Sequence, residues 1–227
     1  MTLYFNRQNL PDWQPTLSLL PPNEGVVVLM RHSVRPEIPE GRFGMQVDLT
    51  PEGVEAAEQL GAQFQGRLDY LASSSSGRCV QTGEAVSRGA QAALEVEHDP
   101  TLGEPGAFID HVESSIQMLE AHGPLGLVNR LLQGLSLEGM FGCETGVQAI
   151  LKRAFEAPPG PGRLHVRVTH DTLLCAVLAW LQEKTQVQEE EWPRMMEGAL
   201  LWRKPGRLCW IWRGELFERE LEDSWFS

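Results

Sequence analysis

The feature that most constrains the fold of this chain is an uninterrupted apolar run, Val26–Met30, that is followed at once by charged side chains. Three of its five residues are β-branched valines, and such a run is typical of a strand buried on both faces of a parallel sheet. Arg31, His32 and Arg35 come next, and Pro36 stops any continuing strand or helix. The sequence therefore predicts an α/β fold in which this strand delivers two guanidinium groups and one imidazole to its carboxyl end, where open α/β sheets bind their ligands.

The chemistry of these three side chains suits a phosphate group. Guanidinium groups match phosphate oxygens in pairs and keep their charge at physiological pH. Because like charge on either side lowers the pKa of a histidine, we expect His32 to be neutral and able to act as a nucleophile. The segment alone also fits a plain strand end with solvated basic residues, so the phosphate interpretation needs support from elsewhere in the chain.

A second element of the same character lies further along the chain. Tyr70–Ser74 reads as a short strand that runs into a loop of small residues, and a helix is predicted to begin near Gly77. Backbone amides in such a loop, together with the positive end of the helix, favour an anion. Arg78 lies in the first turn of this helix, where its charge opposes the helix dipole, so an anionic ligand explains it better than the helix does.

A second histidine ends a later strand. Val166 and Val168 alternate with polar residues up to His170, and a nearly all-apolar helix follows Asp171. Alone, this pattern indicates only an N-cap aspartate and a buried polar histidine. Because His170 and Asp171 occupy the same kind of strand-to-helix junction as His32, we expect the three side chains to meet at one edge of the sheet.

The composition limits the partners and the compartment. The chain has 227 residues, enough for one large α/β domain, and a formal net charge of -12, so it is not expected to bind nucleic acid or an anionic membrane surface. Its longest apolar run, Leu173–Leu181, is too short to cross a bilayer, and no signal peptide is evident at the N-terminus. The four cysteines show no metal-ligand spacing, which predicts no metal, and Cys79 and Cys175 lie in apolar or small-residue stretches, which predicts buried thiols there and a cytoplasmic location.

These segments resemble motifs of the histidine phosphatase superfamily. Arg31–Pro36, with the sequence RHSVRP, resembles the R-H-G-x-R-x-P signature of the acid-phosphatase branch, although Ser33 replaces the glycine and the proline comes one position early. Ser74–Gly83 resembles the S-x-x-x-R-x-x-Q-T-A block, with a glycine in place of the final alanine. His170 with Asp171 resembles the H-D pair of the acid-phosphatase branch, so the motifs are closer to that branch.

The resemblance implies a role for each of these residues. His32 would be the nucleophile, and Asp171 would be the acid that protonates the leaving group. The phosphoryl group would be bound by four side chains: Arg31, Arg35, Arg78 and His170. Leu102–Glu104 matches the L-x-E pattern of the other branch, whose glutamate is the proton donor, so Glu104 stays open as an alternative to Asp171.

The resemblance also implies an activity. It is that of a phosphomonoesterase that forms a phosphohistidine on His32, needs no cofactor and acts on a small phosphorylated metabolite. A phosphomutase of the same fold is one alternative, although Pro36 and Glu37 fit the mutase motif poorly. A non-catalytic protein that binds a phosphorylated ligand is another. The oligomeric state is open, with a homodimer through a tryptophan-rich C-terminal hairpin as one option.

The expected architecture is a single domain over residues 1–227, a three-layer α/β/α sandwich with a mostly parallel central sheet. Residues 105–157 show a helical pattern with glycine breaks and are expected to form a cap insert over the site. Ala199–Arg203 and Leu208–Trp212 are predicted as a hairpin around a type II turn. A short acidic helix is predicted within Phe217–Ser227.

Overall fold

The structure is a computed structural model that describes residues 10–38, 47–103, 105–221 and 223–226. The described strands are β1 (Val26–Arg31), β2 (Leu68–Ser73), β3 (Glu97–His98), β4 (Leu164–Thr169), β5 (Gly198–Lys204), β6 (Arg207–Trp212) and β7 (Glu215–Glu220). They form one sheet in the order β3-β2-β4-β1-β5-β6-β7. Strands β1 to β4 run parallel to one another, whereas β5, β6 and β7 are antiparallel to their neighbours.

Helices cover both faces of this sheet. The described helices are α1 (Gln14–Ser18), α2 (Pro51–Ala62), α3 (Gly77–Gly89), α4 (Val112–Leu132), α5 (Cys143–Phe155) and α6 (Asp171–Leu181). In β1, Val26, Val28 and Met30 pack in a cluster with α2 and α3, whereas Val27 and Leu29 pack in a cluster with α5 and α6. Because alternate residues of a strand point to opposite faces, β1 is buried from both sides. The predicted three-layer α/β/α sandwich is confirmed.

The pairing of β1 with β4 determines where the two histidines lie. The strands are parallel neighbours, and Arg31 at the end of β1 is paired with Thr169 at the end of β4. Because parallel strands end at the same edge of a sheet, His32 and His170 start from adjacent points. The register thus brings together the two junctions that the sequence analysis singled out.

The starts of helices α2 and α3 follow from the local sequence, and α3 begins where the sequence analysis predicts a helix. Thr50 caps α2 by accepting a hydrogen bond from the backbone N–H of Gly53 over 3.1 Å, and Pro51 occupies the first helical turn. Gly53 is required because the chain after β1 comes very close, and a Cβ there would lie 2.3 Å from the carbonyl oxygen of Val34. Helix α3 begins at Gly77, after the loop of small residues that follows β2.

The region between β3 and β4 is helical, as predicted. Gly123 has φ 65° and ψ 169° and is followed by Pro124, so α4 is kinked at the break that the sequence indicated. The half of α4 after this kink, together with α5, contributes buried side chains to the cluster around α6. No helix in the described part of the chain is both long and apolar enough to cross a membrane.

The C-terminal region confirms one prediction and corrects another. The hairpin forms as β5 and β6, and Gly206 in its turn has φ 72°, the sign that the third residue of a type II turn requires. The acidic helix predicted within Phe217–Ser227 is wrong for most of that range, because Glu215–Glu220 forms β7, the edge strand beside β6, and of the residues described there only Asp223–Trp225 are helical, as a single 3-10 turn. Phe217 stacks on Trp210 with ring centroids 5.5 Å apart, so one face of β7 packs on the core while the alternate residues are exposed.

Burial decides the roles of the hairpin tryptophans and of the cysteines. Trp202, Trp210 and Trp212 are at most 8% exposed, so they close the protein's own core and offer no contact surface to a second subunit. The homodimer stays a prediction. All four cysteines are buried free thiols, as predicted for Cys79 and Cys175; the other two are Cys143 and Cys209.

Candidate active site

Side chains from β1, α3 and α6 meet at the carboxyl edge of the sheet. The rings of His32 and His170 lie with their centroids 5.6 Å apart. Arg78 bridges them, since its Nε lies 3.1 Å from Nε2 of His32 and its Nη2 lies 3.2 Å from Nδ1 of His170. Nη2 of Arg31 lies 2.7 Å from Oδ2 of Asp171. The structure therefore brings the predicted histidines, arginines and aspartate into one site.

The imidazole of His32 is neutral, and one of its nitrogens, Nε2, carries a lone pair. It is 2% exposed, and its pKa is lowered well below the ordinary 6.5 by burial and by the neighbouring Arg31 and His170. Its Nδ1 lies 2.7 Å from the carbonyl oxygen of Ser33, which can only accept, so Nδ1 carries the proton. The lone pair of Nε2 therefore points at the guanidinium of Arg78. This is the protonation state that a nucleophile needs.

Ser33, which stands where the resembled motif has glycine, bonds to the two helices behind the site. Its hydroxyl donates to the carbonyl oxygen of Gly53 over 2.7 Å, at the start of α2. Its backbone N–H donates to Oγ1 of Thr82 over 2.9 Å, and Thr82 donates in turn to the carbonyl oxygen of Arg78 over 2.7 Å. Ser33 therefore ties the nucleophile's loop to α2 and α3, and its hydroxyl is not a further donor to a phosphate.

His170 is also neutral. Burial and the charge of Arg78 lower its pKa to about 4, against the opposing effect of Asp171. Because a guanidinium only donates, Nδ1 of His170 accepts from Arg78, and Nε2 carries the proton. Nε2 lies 2.9 Å from Oγ of Ser74, which also accepts from the backbone N–H of Ser76 over 3.2 Å. Ser74, the serine of the resembled block, therefore fixes the orientation of this ring.

Asp171 opens α6 as a carboxylate paired with Arg31. Its Oδ2 accepts from Nε1 of Trp192 over 3.3 Å, and its Oδ1 accepts from the backbone N–H of Thr172 over 2.9 Å. Burial by itself would raise the pKa of Asp171, but Arg31, His32 and the indole of Trp192 outweigh it and lower the pKa to about 2. Asp171 is therefore ionised at neutral pH.

Two of the arginines present buried donors that no described residue satisfies. These are Nε of Arg31 and Nε of Arg35. The same side chains are oriented by carbonyl groups, since Nη1 of Arg31 donates to Pro193 over 2.6 Å and Nη1 of Arg35 donates to Pro36 over 2.8 Å. Burial and the charges of Arg31 and Arg78 lower the pKa of Arg35 to about 10, so it stays charged at neutral pH. A tetrahedral oxyanion would give these donors acceptors.

Trp192 and Pro193 are site residues that the sequence analysis missed. They follow a 3-10 turn, Glu189–Glu191, in a stretch that reads as acidic surface. Their contacts with Asp171 and Arg31 depend on the path by which the chain returns from α6 to β5. The sequence signal is an aromatic residue and a proline after a run of glutamates, which is not specific.

Glu104, the alternative proton donor, lies outside the described residues. The residues before it are well tied to the site. The carbonyl oxygen of Leu102 accepts from Oγ1 of Thr169 over 2.7 Å, and a Cβ at Gly103 would lie 2.5 Å from Cβ of Ser74. Variants of Asp171 and of Glu104 therefore decide which of the two residues is the proton donor.

This geometry defines an anion site built around a neutral histidine. The family model of the histidine phosphatase superfamily (branch 1) matches residues 27–199, which contain the whole described site. The chain belongs to this superfamily. The matching model is that of branch 1, whereas the Arg31–Pro36 and His170-Asp171 motifs resemble the acid-phosphatase branch.

Solved structures share the fold at low sequence identity. A phosphoserine phosphatase mutant from Entamoeba histolytica, in complex with phosphoserine, is 15% identical with a TM-score of 0.57, and the match covers 82% of this chain and 94% of that one. Phosphoglycerate mutase from Bacillus anthracis str. Sterne is 16% identical with a TM-score of 0.52, and the match covers 89% of this chain and 96% of that one. Such identities establish the fold and not the substrate. Among curated proteins, none matches this sequence.

Proposed function

We propose that this protein is a phosphomonoesterase that forms a phosphohistidine on His32. The observation that carries the proposal is the neutral imidazole of His32, whose Nε2 lone pair points at Arg78 in a site where Arg31 and Arg35 hold unsatisfied buried donors. Membership of the superfamily supports phosphatase-type chemistry. A bound phosphate ester would give each guanidinium group an acceptor and would place phosphorus next to the imidazole.

In the first step, Nε2 of His32 attacks phosphorus while the bond from phosphorus to the ester oxygen breaks. In the free protein, the lone pair of Nε2 accepts a hydrogen bond from Nε of Arg78. It becomes available when the guanidinium of Arg78 donates to the phosphate instead. The three arginines donate to the non-bridging oxygens, where charge accumulates in the transition state, and His170 orients the guanidinium of Arg78 by accepting from its Nη2. The ester oxygen leaves with a proton from Asp171, and the proton on Nδ1 of His32 stays there, hydrogen-bonded to the carbonyl oxygen of Ser33.

The proton for this step enters with the substrate. Asp171 is ionised, because its partners lower its pKa to about 2, so it brings no proton of its own at neutral pH. A phosphomonoester carries one proton below its second pKa of about 6. Once the ester is bound, its negative charge raises the proton affinity of Asp171. The carboxylate then takes the proton from the phosphoryl group and passes it to the leaving oxygen.

In the second step, a water molecule enters where the alcohol left. Asp171, again a carboxylate, takes a proton from the water as the water oxygen attacks phosphorus and the phosphorus–nitrogen bond breaks. The products are inorganic phosphate and neutral His32, and the proton on Asp171 leaves with the phosphate.

We propose a small phosphorylated metabolite as the substrate and residues 105–157 as the cap that selects it. This region follows the carboxyl end of β3, which is parallel to β2 and β4 and therefore ends at the same edge of the sheet as the site; this supports a role in contacting the part of the ester beyond the phosphate. A cytoplasmic location is part of the same proposal, because all four cysteines are buried free thiols.

The test is hydrolysis of p-nitrophenyl phosphate by the wild type, by His32→Ala and by the control His165→Asn. His165 is on β4 but outside the site, where its Nε2 lies 3.1 Å from Oδ1 of Asp69. Because removal of a nucleophile eliminates nearly all chemical catalysis, we expect His32→Ala to lose about 10⁴-fold or more in kcat. The phosphoenzyme that is trapped with radiolabelled ester should disappear in this variant and persist in His165→Asn.

The panel of substrates decides between the alternatives. A wild type that hydrolyses neither p-nitrophenyl phosphate nor any ester in a panel of phosphorylated metabolites contradicts the proposal. A wild type that moves phosphate between two hydroxyl groups faster than to water identifies a mutase instead.

A further inference from the structure

The segment Glu191–Glu197 contacts the proposed acid and its partner, although no motif marks it. The indole Nε1 of Trp192 donates to Oδ2 of Asp171 over 3.3 Å. The next carbonyl, that of Pro193, accepts from Nη1 of Arg31 over 2.6 Å. The segment therefore holds both members of the Arg31–Asp171 ion pair.

The same segment bonds to the backbone beside the nucleophile. The N–H of Met196 donates to the carbonyl oxygen of His32 over 3.2 Å, and the carbonyl of Glu197 accepts from the N–H of Arg31 over 2.8 Å. Met196 has φ 66°, a left-handed conformation that is unfavourable for a residue with a side chain. Such strain persists only where the surroundings impose it, so the path of this segment is strongly determined.

A buried cluster of ion pairs imposes this path. Glu197 is 3% exposed, and its carboxylate lies 2.7 Å from Nη2 of Arg194 and 2.9 Å from Nη2 of Arg213. Nη2 of Arg213 also donates to the carbonyl oxygens of Glu191 and Trp192, over 3.3 and 3.2 Å. Because Arg213 is in the turn after β6, the cluster attaches the segment to the antiparallel half of the sheet.

We propose that Trp192 is a positioning residue that aims the carboxylate of Asp171 at the leaving group. The N–H of Thr172 binds Oδ1 and the indole binds Oδ2, so the two donors together fix the plane of the carboxylate. The indole N–H can only donate, and it therefore acts on the carboxylate without competing for the proton. The inference rests on the proposed function and adds the residue that sets the geometry of proton transfer.

Removal of the indole N–H should affect esters according to their leaving group. The variant Trp192→Phe keeps an aromatic ring but loses the donor, so Asp171 stays ionised by Arg31 while its orientation loosens. An alkoxide needs a proton as it leaves, whereas p-nitrophenolate is stable without one. The defect is therefore expected in kcat for alkyl esters, while phosphate binding, which the arginines provide, is preserved.

The experiment compares Trp192→Phe with Trp202→Phe in the full chain. Trp202 is 4% exposed, and its Nε1 has no hydrogen-bond acceptor among the described residues, so this variant controls for the loss of an indole ring. We measure kcat and KM for p-nitrophenyl phosphate and for a simple alkyl phosphate. Trp192→Phe is expected to lower kcat for the alkyl ester about tenfold, the effect of one hydrogen bond to a charged group, with KM within about threefold of the wild type.

The outcomes separate this inference from the proposed function. If both tryptophan variants keep the wild-type ratio of alkyl to p-nitrophenyl turnover, the assignment of Trp192 is overturned. If the wild type hydrolyses neither ester, the proposed function is contradicted, and so is the role of Trp192 that depends on it. The contact itself is tested by NMR: Asp171→Asn should shift the indole N–H resonance of Trp192 and leave that of Trp202 in place, and an unmoved Trp192 resonance contradicts the hydrogen bond.

Discussion

Replacement of Asp171 by asparagine separates the contributions that this residue makes to turnover, stability and phosphate binding. Asparagine keeps the size of the side chain but removes the charge that lies 2.7 Å from Nη2 of Arg31. We predict slower turnover and lower stability, because the proton carrier and the ion pair are both lost. We also predict tighter binding of inorganic phosphate, because Arg31 is released.

The size of the stability effect follows from the pKa of Asp171. That pKa is about 2 instead of the ordinary 3.8, and each pKa unit corresponds to about 1.4 kcal/mol. The ionised carboxylate therefore contributes about 2 kcal/mol, which is fully present above about pH 4 and is lost as the pH falls through about 2. For a chain of this length, Asp171→Asn is expected to lower Tm by about 4–8 °C at neutral pH.

The effect on phosphate has the opposite sign. In the wild type, the carboxylate repels a bound phosphate and competes with it for Arg31. Two unit charges about 5 Å apart near a protein surface interact by about 3 kcal/mol. Even if solvent and relaxation cancel half of this, inorganic phosphate should inhibit Asp171→Asn at about tenfold lower concentration than the wild type.

The assay measures three quantities in Asp171→Asn and in Glu104→Gln: kcat for an alkyl phosphate, the inhibition constant of phosphate, and Tm. Loss of a general acid costs about 10²–10⁴-fold, and we expect that loss in Asp171→Asn but not in Glu104→Gln. Full activity of Asp171→Asn on the alkyl ester would show that the proton donor is assigned wrongly. The reverse pattern would identify Glu104 as the donor.

Two further predictions concern pH and the scaffold. The pKa values of His32 and His170 are lowered by burial and by neighbouring charges, so both rings stay neutral below pH 6.5. We therefore expect kcat/KM to remain high near about pH 5 and to fall above about pH 6 as the ester loses its proton; an acid limb with an ordinary histidine pKa would contradict this. Asp99→Asn leaves Arg167 unpaired where the two side chains are 1% and 4% exposed, and we expect a loss of about 3–5 kcal/mol in denaturant unfolding with KM unchanged. A loss below about 1 kcal/mol would show that the pair is not needed.

The location of the site was predictable because its chemistry follows directly after strands. The apolar run that ends in Arg31 and His32 predicts both a buried strand and the end of that strand at which a ligand binds. The segment of β4 that leads to His170 shows the same pattern. Parallel pairing then makes the two ends neighbours. The direction of the Ser33 hydroxyl could not be predicted, because it depends on the carbonyl of Gly53 in another element.

The contributions of Trp192 and β7 were not predictable for a related reason. The indole reaches Asp171 only because buried Glu197 and Arg213 hold the returning chain, and those partners are far apart in sequence. In β7, one face is exposed and rich in glutamate, so the alternation of apolar and polar residues that indicates a strand is weak in its sequence. Pairing with β6 and the contact of Phe217 with Trp210 decide its conformation.

The charges of the site explain how an ionised Asp171 can serve as the acid. While both histidines are neutral, three guanidinium groups and one carboxylate leave the site with an excess of two positive charges. A phosphomonoester monoanion offsets one of them. The remaining excess favours transfer of the ester's proton to Asp171, because the phosphoryl dianion that results is stabilised by all the arginines. Since the chain as a whole carries a net charge of -12, this excess is confined to the strand ends, and burial limits its screening by salt. Asp171→Asn, which lacks the carboxylate, is therefore expected to bind inorganic phosphate more tightly than the wild type and to turn over substrate more slowly.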